Sequence, residues 1–149
     1  MPDKQTLKRA AADKRQGKSA STQAGEFVRE EMDHIREGKH GARSAKQAIA
    51  IGLSKARRAG VKLPPPPKSA SERTKQAAKR DSARAGKATR PSASRSRAAK
   101  KALAGEPKAS ASKTALSRQA RAAAKRRPAK ARKAAAKKAA RTRARREQS

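Results

Sequence analysis

Large apolar side chains are the scarcest material in this chain, and their placement limits what can fold. Only thirteen of 149 residues are Val, Ile, Leu, Met or Phe, and nine of those lie between Phe27 and Leu63. Phe27 is the only aromatic residue. Fixing one residue costs about 1–2 kcal/mol of backbone entropy, so a segment without apolar surface to bury does not order itself. The nominal apolar fraction of 34% is mostly alanine. A core is therefore expected within residues 25–63 and nowhere else.

Within that window the local helix signals agree. Phe27, Val28, Met32 and Ile35 recur at helical spacing, Ser21 or Thr22 can cap the segment, and Gly38 suits its C-terminal end. The spacing predicts a helix over about 23–37. After the loop GKHGAR comes SAKQAIAIGLSKARRAGVKLPPPP, Ser44 to Pro67. Ser44 and Gln47 fit a capping box, and Ala45, Ala48, Ile49, Gly52, Leu53 and Ala56 share one face. Lys55, Arg57 and Arg58 suit the negative end of the helix dipole, and Gly60 suits the position after the cap. Four prolines, residues 64–67, then predict a polyproline spacer of about 12 Å.

The expected fold class is thus a small all-α helical hairpin, residues 25–63. Phe27, Met32 and Ile35 of its first helix pack on Ile49, Gly52 and Leu53 of its second. Ala45, Ala48, Gly52 and Ala56 let the two backbones approach. A hairpin of roughly 35–40 residues is too small for one core to suffice. A homodimer through the hairpin is one remedy. The other is docking of a short helix in the basic segment 1–24, between Asp3 and Gly17.

Charge divides the chain in the same way. Lys and Arg number 43 against 11 Asp and Glu, a net +32, and residues 64–149 carry +24 of it. Glu26, Glu30, Glu31, Asp33 and Glu37 fall in one short window and read as a solvated helix face. Residues 68–149 read as a long disordered basic tail rich in Ala, Lys and Arg. Alanine favours helix, but dense like charge opposes it, so helix is expected there only when phosphates neutralise the charge.

Several chemistries find no residues to support them. No cysteine is present, which leaves no disulfide, thiolate site or thiol nucleophile. His34 and His40, with Asp33 and Glu37 nearby, do not follow a metal-ligand spacing, and His34 reads as an exposed helix position. No metal site, cofactor or catalytic residue is assigned, because no phosphate-binding loop, zinc-protease or nucleophile-elbow motif occurs. The chain is not read as an enzyme. The first residues hold no apolar stretch of a secretory leader, and no run approaches the roughly 18 apolar residues of a membrane span. A cytoplasmic, nucleoid-associated location is expected.

A positive excess of this size calls for a polyanion. The phosphate contacts are assigned to Lys100, Lys101, Arg118, Arg121, Lys125, Arg126, Arg127, Lys130, Arg132, Lys133, Lys137, Lys138, Arg141, Arg143, Arg145 and Arg146. Without interleaved aromatics for base stacking, the segment suits duplex DNA better than single strands. Ten such contacts give a salt slope of about −9. The stretch KRRPAK lacks the glycine of an R-G-R-P minor-groove hook, so it reads as a proline break between basic helices. A helix-turn-helix reading of the hairpin is set aside because its loop is too long and no third helix supports it.

The stretch RRPAKARKAAAKKAARTRARR resembles the C-terminal domains of linker histones and of bacterial histone-H1-like proteins, in composition, over residues 68–146. The segment EFVREEMDHIREGKHGARSAKQAIAIGLSKARRAG resembles a short conserved domain of uncharacterised bacterial proteins, most specifically from Gly38 to Ala56. The resemblance implies a bacterial source and an accessory nucleoid role, with no catalytic residues. The leading expectation is non-specific binding and compaction of duplex DNA. The alternatives are an RNA-binding or ribosome-associated protein, and an adaptor whose hairpin binds a protein partner while the tail localises it.

Overall fold

The computed structural model describes residues 2–87 and 92–147, with the backbone but not the side chain of Arg146. Among the described residues are seven α-helices: α1 (Lys4–Arg15), α2 (Ala20–Arg36), α3 (Ala45–Arg58), α4 (Glu72–Ala83), α5 (Ala93–Ala104), α6 (Lys113–Lys125) and α7 (Ala129–Glu147). A short 3-10 helix, Lys108–Ala111, lies between α5 and α6.

Serine hydroxyls start most of these helices. Ser19 Oγ accepts from Thr22 N at 3.3 Å, so Ser19 caps α2 and not Ser21 or Thr22. Ser44 Oγ accepts from Gln47 N at 3.2 Å, and Gln47 Oε1 accepts from Arg43 N at 2.8 Å. Ser71 and Ser92 cap α4 and α5 in the same way, each at 3.3 Å. Each such cap satisfies an otherwise unpaired helix N–H and contributes about 1 kcal/mol. At the end of α2, Gly38 N donates to Ile35 O and Lys39 N to His34 O, with Gly38 at φ +79°. That left-handed turn, open to glycine at no steric cost, reverses the chain towards α2.

The expectation of a small hairpin with a long disordered tail is overturned: the described residues form a seven-helix all-α chain, and residues 72–83, 93–104, 113–125 and 129–147 are helical. Two local terms explain the difference. Alanine is the strongest helix former, and a like-charge pair one turn apart costs only about 0.2–0.5 kcal/mol. Serine caps at residues 71 and 92 add to the same side.

The chain divides into two units, residues 1–112 and 113–149. In the first unit α2 and α3 form the most extensive pairing, α1 lies on α2, α4 on α3, and the 3-10 helix on both α2 and α3. Gly52 sits directly against α2, where an added Cβ would lie 2.7 Å from Val28 Cα. Phe27, Met32 and Ile35 are buried, whereas Ile49 and Leu53 are half-buried. Much of the remaining core is alanine: Ala10, Ala24, Ala42, Ala45, Ala48, Ala56, Ala78 and Ala111 are all buried.

Two segments beyond the prolines join this unit. Ser54 Oγ donates to Asp81 Oδ2 at 2.6 Å, tying α3 to α4. The segment from Leu103 to Ala111 straps the loop between α2 and α3. Gly41 N donates to Leu103 O at 2.8 Å, Ala42 N to Pro107 O at 3.1 Å, and Arg36 Nε to Ala111 O at 3.1 Å. Thus α1 docks on α2, as one of the two remedies for a small hairpin required, and α4 and the strap add further packing within the chain. Leu7 is the one exposed large apolar residue among those described.

The second unit consists of α6 and α7. Arg132 N donates to Pro128 O at 3.1 Å, so Pro128 opens α7 rather than interrupting it. Every described side chain of α7 is exposed. Among the described residues, no helix is long and apolar enough to cross a membrane.

Candidate functional site

The structure gathers polar residues in two places: a buried cluster in the first unit and an exposed cationic surface in the second.

The cluster begins with two adjacent acids on α2. Glu30 and Glu31 were expected to face solvent, but their side chains are only 2% and 1% exposed. Helix α2 is covered on two sides, by α1 and by α3, which shields the side chains of these acids from water. Lys55 of α3 answers them. Its Nζ donates to Glu30 Oε1 at 3.2 Å and lies 2.7 Å from Glu31 Oε2. Asp3 N, at the start of α1, donates to Glu30 Oε2 at 3.1 Å. Glu30 is thereby satisfied on both oxygens. Neither oxygen of Glu31 receives a hydrogen bond of acceptable geometry, although both are enclosed. The Lys55 contact to Glu31 is an ion pair.

The two histidines converge on the same place. His34, one turn after Glu31 on α2, has a side chain 15% exposed and is not the solvent-facing residue expected. Its Nε2 lies 3.3 Å from Asp3 Oδ2. His40 is returned to α2 by the Gly38 turn, and its Nε2 lies 3.3 Å from Glu31 Oε1. The two imidazoles meet edge to face, with centroids 6.2 Å apart. Close by, Lys39 pairs with Glu37 at 2.9 Å, and this contact raises the Lys39 ammonium above its ordinary value.

Sequence reasoning missed this cluster. His34 and His40 were weighed with Asp33 and Glu37, whereas the structure pairs them with Glu31 and Asp3. The available signal was Glu31-x-x-His34, a spacing that puts both side chains on one helix face.

The cationic residues assigned from the sequence lie elsewhere. Lys100 and Lys101 are on α5; Arg118, Arg121 and Lys125 on α6; Arg126 and Arg127 in the turn before Pro128. Lys130, Arg132, Lys133, Lys137, Lys138, Arg141, Arg143, Arg145 and Arg146 are on α7. All are exposed, apart from Arg146, whose side chain lies outside the described residues. The helix spacing sorts them. Lys130, Lys133, Lys137, Arg141 and Arg145 follow at intervals of three and four and share one face of α7 with Lys138 beside them, while Arg132 and Arg143 point away. On α6, Arg118, Arg121 and Lys125 form a shorter stripe of the same kind. Between Glu106 and Glu147 no acidic residue interrupts sixteen basic ones.

Residues 13–69 match a family of unknown function (DUF6496). The match contains the segment read from sequence as a short conserved domain, Glu26 to Gly60, and covers α2, α3 and the four prolines. It stops before α4 and the strap, and covers neither α6 nor α7. Neither a curated protein nor a solved structure matches the chain.

Proposed function

We propose that this protein binds the phosphate backbone of duplex DNA through α6 and α7, with little preference for base sequence, and compacts DNA in a nucleoid. The observation that carries this reading is the exposed stripe Lys130–Lys133–Lys137–Arg141–Arg145, in a stretch without acids. From Lys130 to Arg145 the stripe runs about 22 Å at 1.5 Å per residue. Duplex DNA carries one charge per about 1.7 Å of axis, both strands counted, so that length of duplex holds on the order of a dozen phosphates, about half of them on the side facing the helix. Phosphate contacts fix position on the duplex and carry no base information. The absence of aromatic residues from both helices favours a duplex over stacked single-stranded bases. The compositional likeness of residues 68–146 to linker-histone tails points the same way.

Structured RNA presents the same phosphates, so a competition decides between the two. A labelled duplex bound by the full chain is challenged with unlabelled duplex DNA and with structured RNA at equal phosphate. Preferential displacement by duplex DNA is the expected result. Displacement by RNA at much lower phosphate assigns the protein to the RNA-binding alternative.

A further inference from the structure

We propose that Glu31, His34 and His40 form a binding site for a divalent transition-metal ion of the zinc type. One ligand atom from each residue lies within 4.8 Å of the others. The set of two imidazoles and one carboxylate suits a borderline ion such as Zn²⁺, and not the all-oxygen preference of Mg²⁺ or Ca²⁺.

The argument starts from His40. Its Nδ1 lies 3.1 Å from the carbonyl oxygen of Gly41. A carbonyl only accepts, so Nδ1 carries a proton. In the neutral imidazole Nε2 is then a bare lone pair, and it faces Glu31 Oε1, another acceptor, at 3.3 Å. Two acceptors at that distance repel unless a cation lies with them. The two enclosed carboxylates of Glu30 and Glu31 stand against a single ammonium, Lys55, leaving the pocket one positive charge short. Buried charge without a partner is strongly disfavoured. Glu31 Oε1, enclosed and facing only His40 Nε2, marks where the missing cation belongs.

A proton on His40 would supply one charge and use one histidine. A metal ion also uses the second imidazole, His34, which the Glu31-x-x-His34 spacing delivers to the same place. Both histidines have the outer support that ligating histidines have: a backbone carbonyl on His40 and the Asp3 carboxylate, 3.3 Å away, on His34. Lys55 holds the other oxygen of Glu31 and neutralises Glu30. The enclosed carboxylates exceed Lys55 by one negative charge, which a cation at the site offsets.

The chain has only two histidines, so their imidazole NMR signals report on the site without ambiguity. The full chain, stripped with chelator, is titrated with Zn²⁺ while both imidazoles are followed. Calorimetry gives the stoichiometry. The expected result is one ion per chain, with both imidazole signals shifting together and complete at one equivalent. His40→Ala and His34→Ala, each checked for retained helicity, are expected to weaken binding by at least about tenfold. If a variant fails to fold, the wild-type spectrum still decides. A spectrum in which only one imidazole responds, or neither, overturns the proposal. So does binding that both histidine variants leave unchanged.

Discussion

Replacing Lys55 by methionine tests the buried cluster at its centre. Methionine keeps the length and nearly the helix propensity of lysine, so the change removes charge with little disturbance of α3. The lysine side chain is 17% exposed and holds two carboxylates that are 2% and 1% exposed. Without it, Glu30 keeps the N–H of Asp3, and Glu31 keeps only the facing His40. Removing one partner of a buried ion pair costs about 3–5 kcal/mol, mostly from the charge left behind. A domain of this size has about 5–15 kcal/mol in all, so the midpoint for thermal unfolding is expected to fall by about 10 °C or more. Chelator-treated protein, melted in urea and by heat with circular dichroism as the signal, gives the number. Pairing Lys55→Met with Glu31→Met should recover part of the loss, since an apolar pair often replaces a buried ion pair at little net cost. A Lys55→Met protein within about 0.5 kcal/mol of wild type, as ordinary surface substitutions are, refutes the account of the cluster.

Three further outcomes are expected. Gly52→Ala gains about 1 kcal/mol of helix propensity but places a methyl 2.7 Å from Val28 Cα, a backbone atom that cannot yield, so denaturation should show a net loss of about 1–2 kcal/mol. Gly41→Ala drives a Cβ into Glu106 O, a backbone atom, and should release the strap, seen as faster hydrogen exchange at the amides of residues 41 and 42 with α2 and α3 still protected. Ser44→Ala removes the cap of α3 and should cost about 1 kcal/mol in the same denaturation assay.

What the sequence made legible was local. The cap at Ser44 and the stop at Gly60 depend on residues within one turn, and the pairs Ser44–Gln47 and Val61–Ala56 appear in the structure at 3.2 Å and 3.0 Å. The close approach at Gly52 was also readable, because a glycine among alanines on one face leaves room for a backbone. The burial of Glu30 and Glu31 was not, because it depends on which elements cover α2 and not on α2 itself. Alanine was the larger error. Treated as filler, it supplies Ala24, Ala42, Ala48, Ala56 and Ala111 at 0% exposure. Ala78 and Ala111 help dock α4 and the strap, which therefore looked in sequence like the start of a featureless tail. The exposed cations of α6 and α7 were identified by type, but their arrangement into stripes follows only from the helices.

The most direct test of the proposed function is the salt dependence of duplex binding by the full chain, compared with the variant Lys130→Ala/Lys133→Ala/Lys137→Ala/Arg141→Ala. Binding through about six phosphate contacts gives a slope of log K against log salt near −5, and each cation removed takes about one unit from it. The account predicts a steep slope for the full chain and one shallower by about four units for the variant, by the same amount on duplexes of unrelated sequence. A slope that the four substitutions leave unchanged, or a loss confined to one duplex sequence, contradicts it.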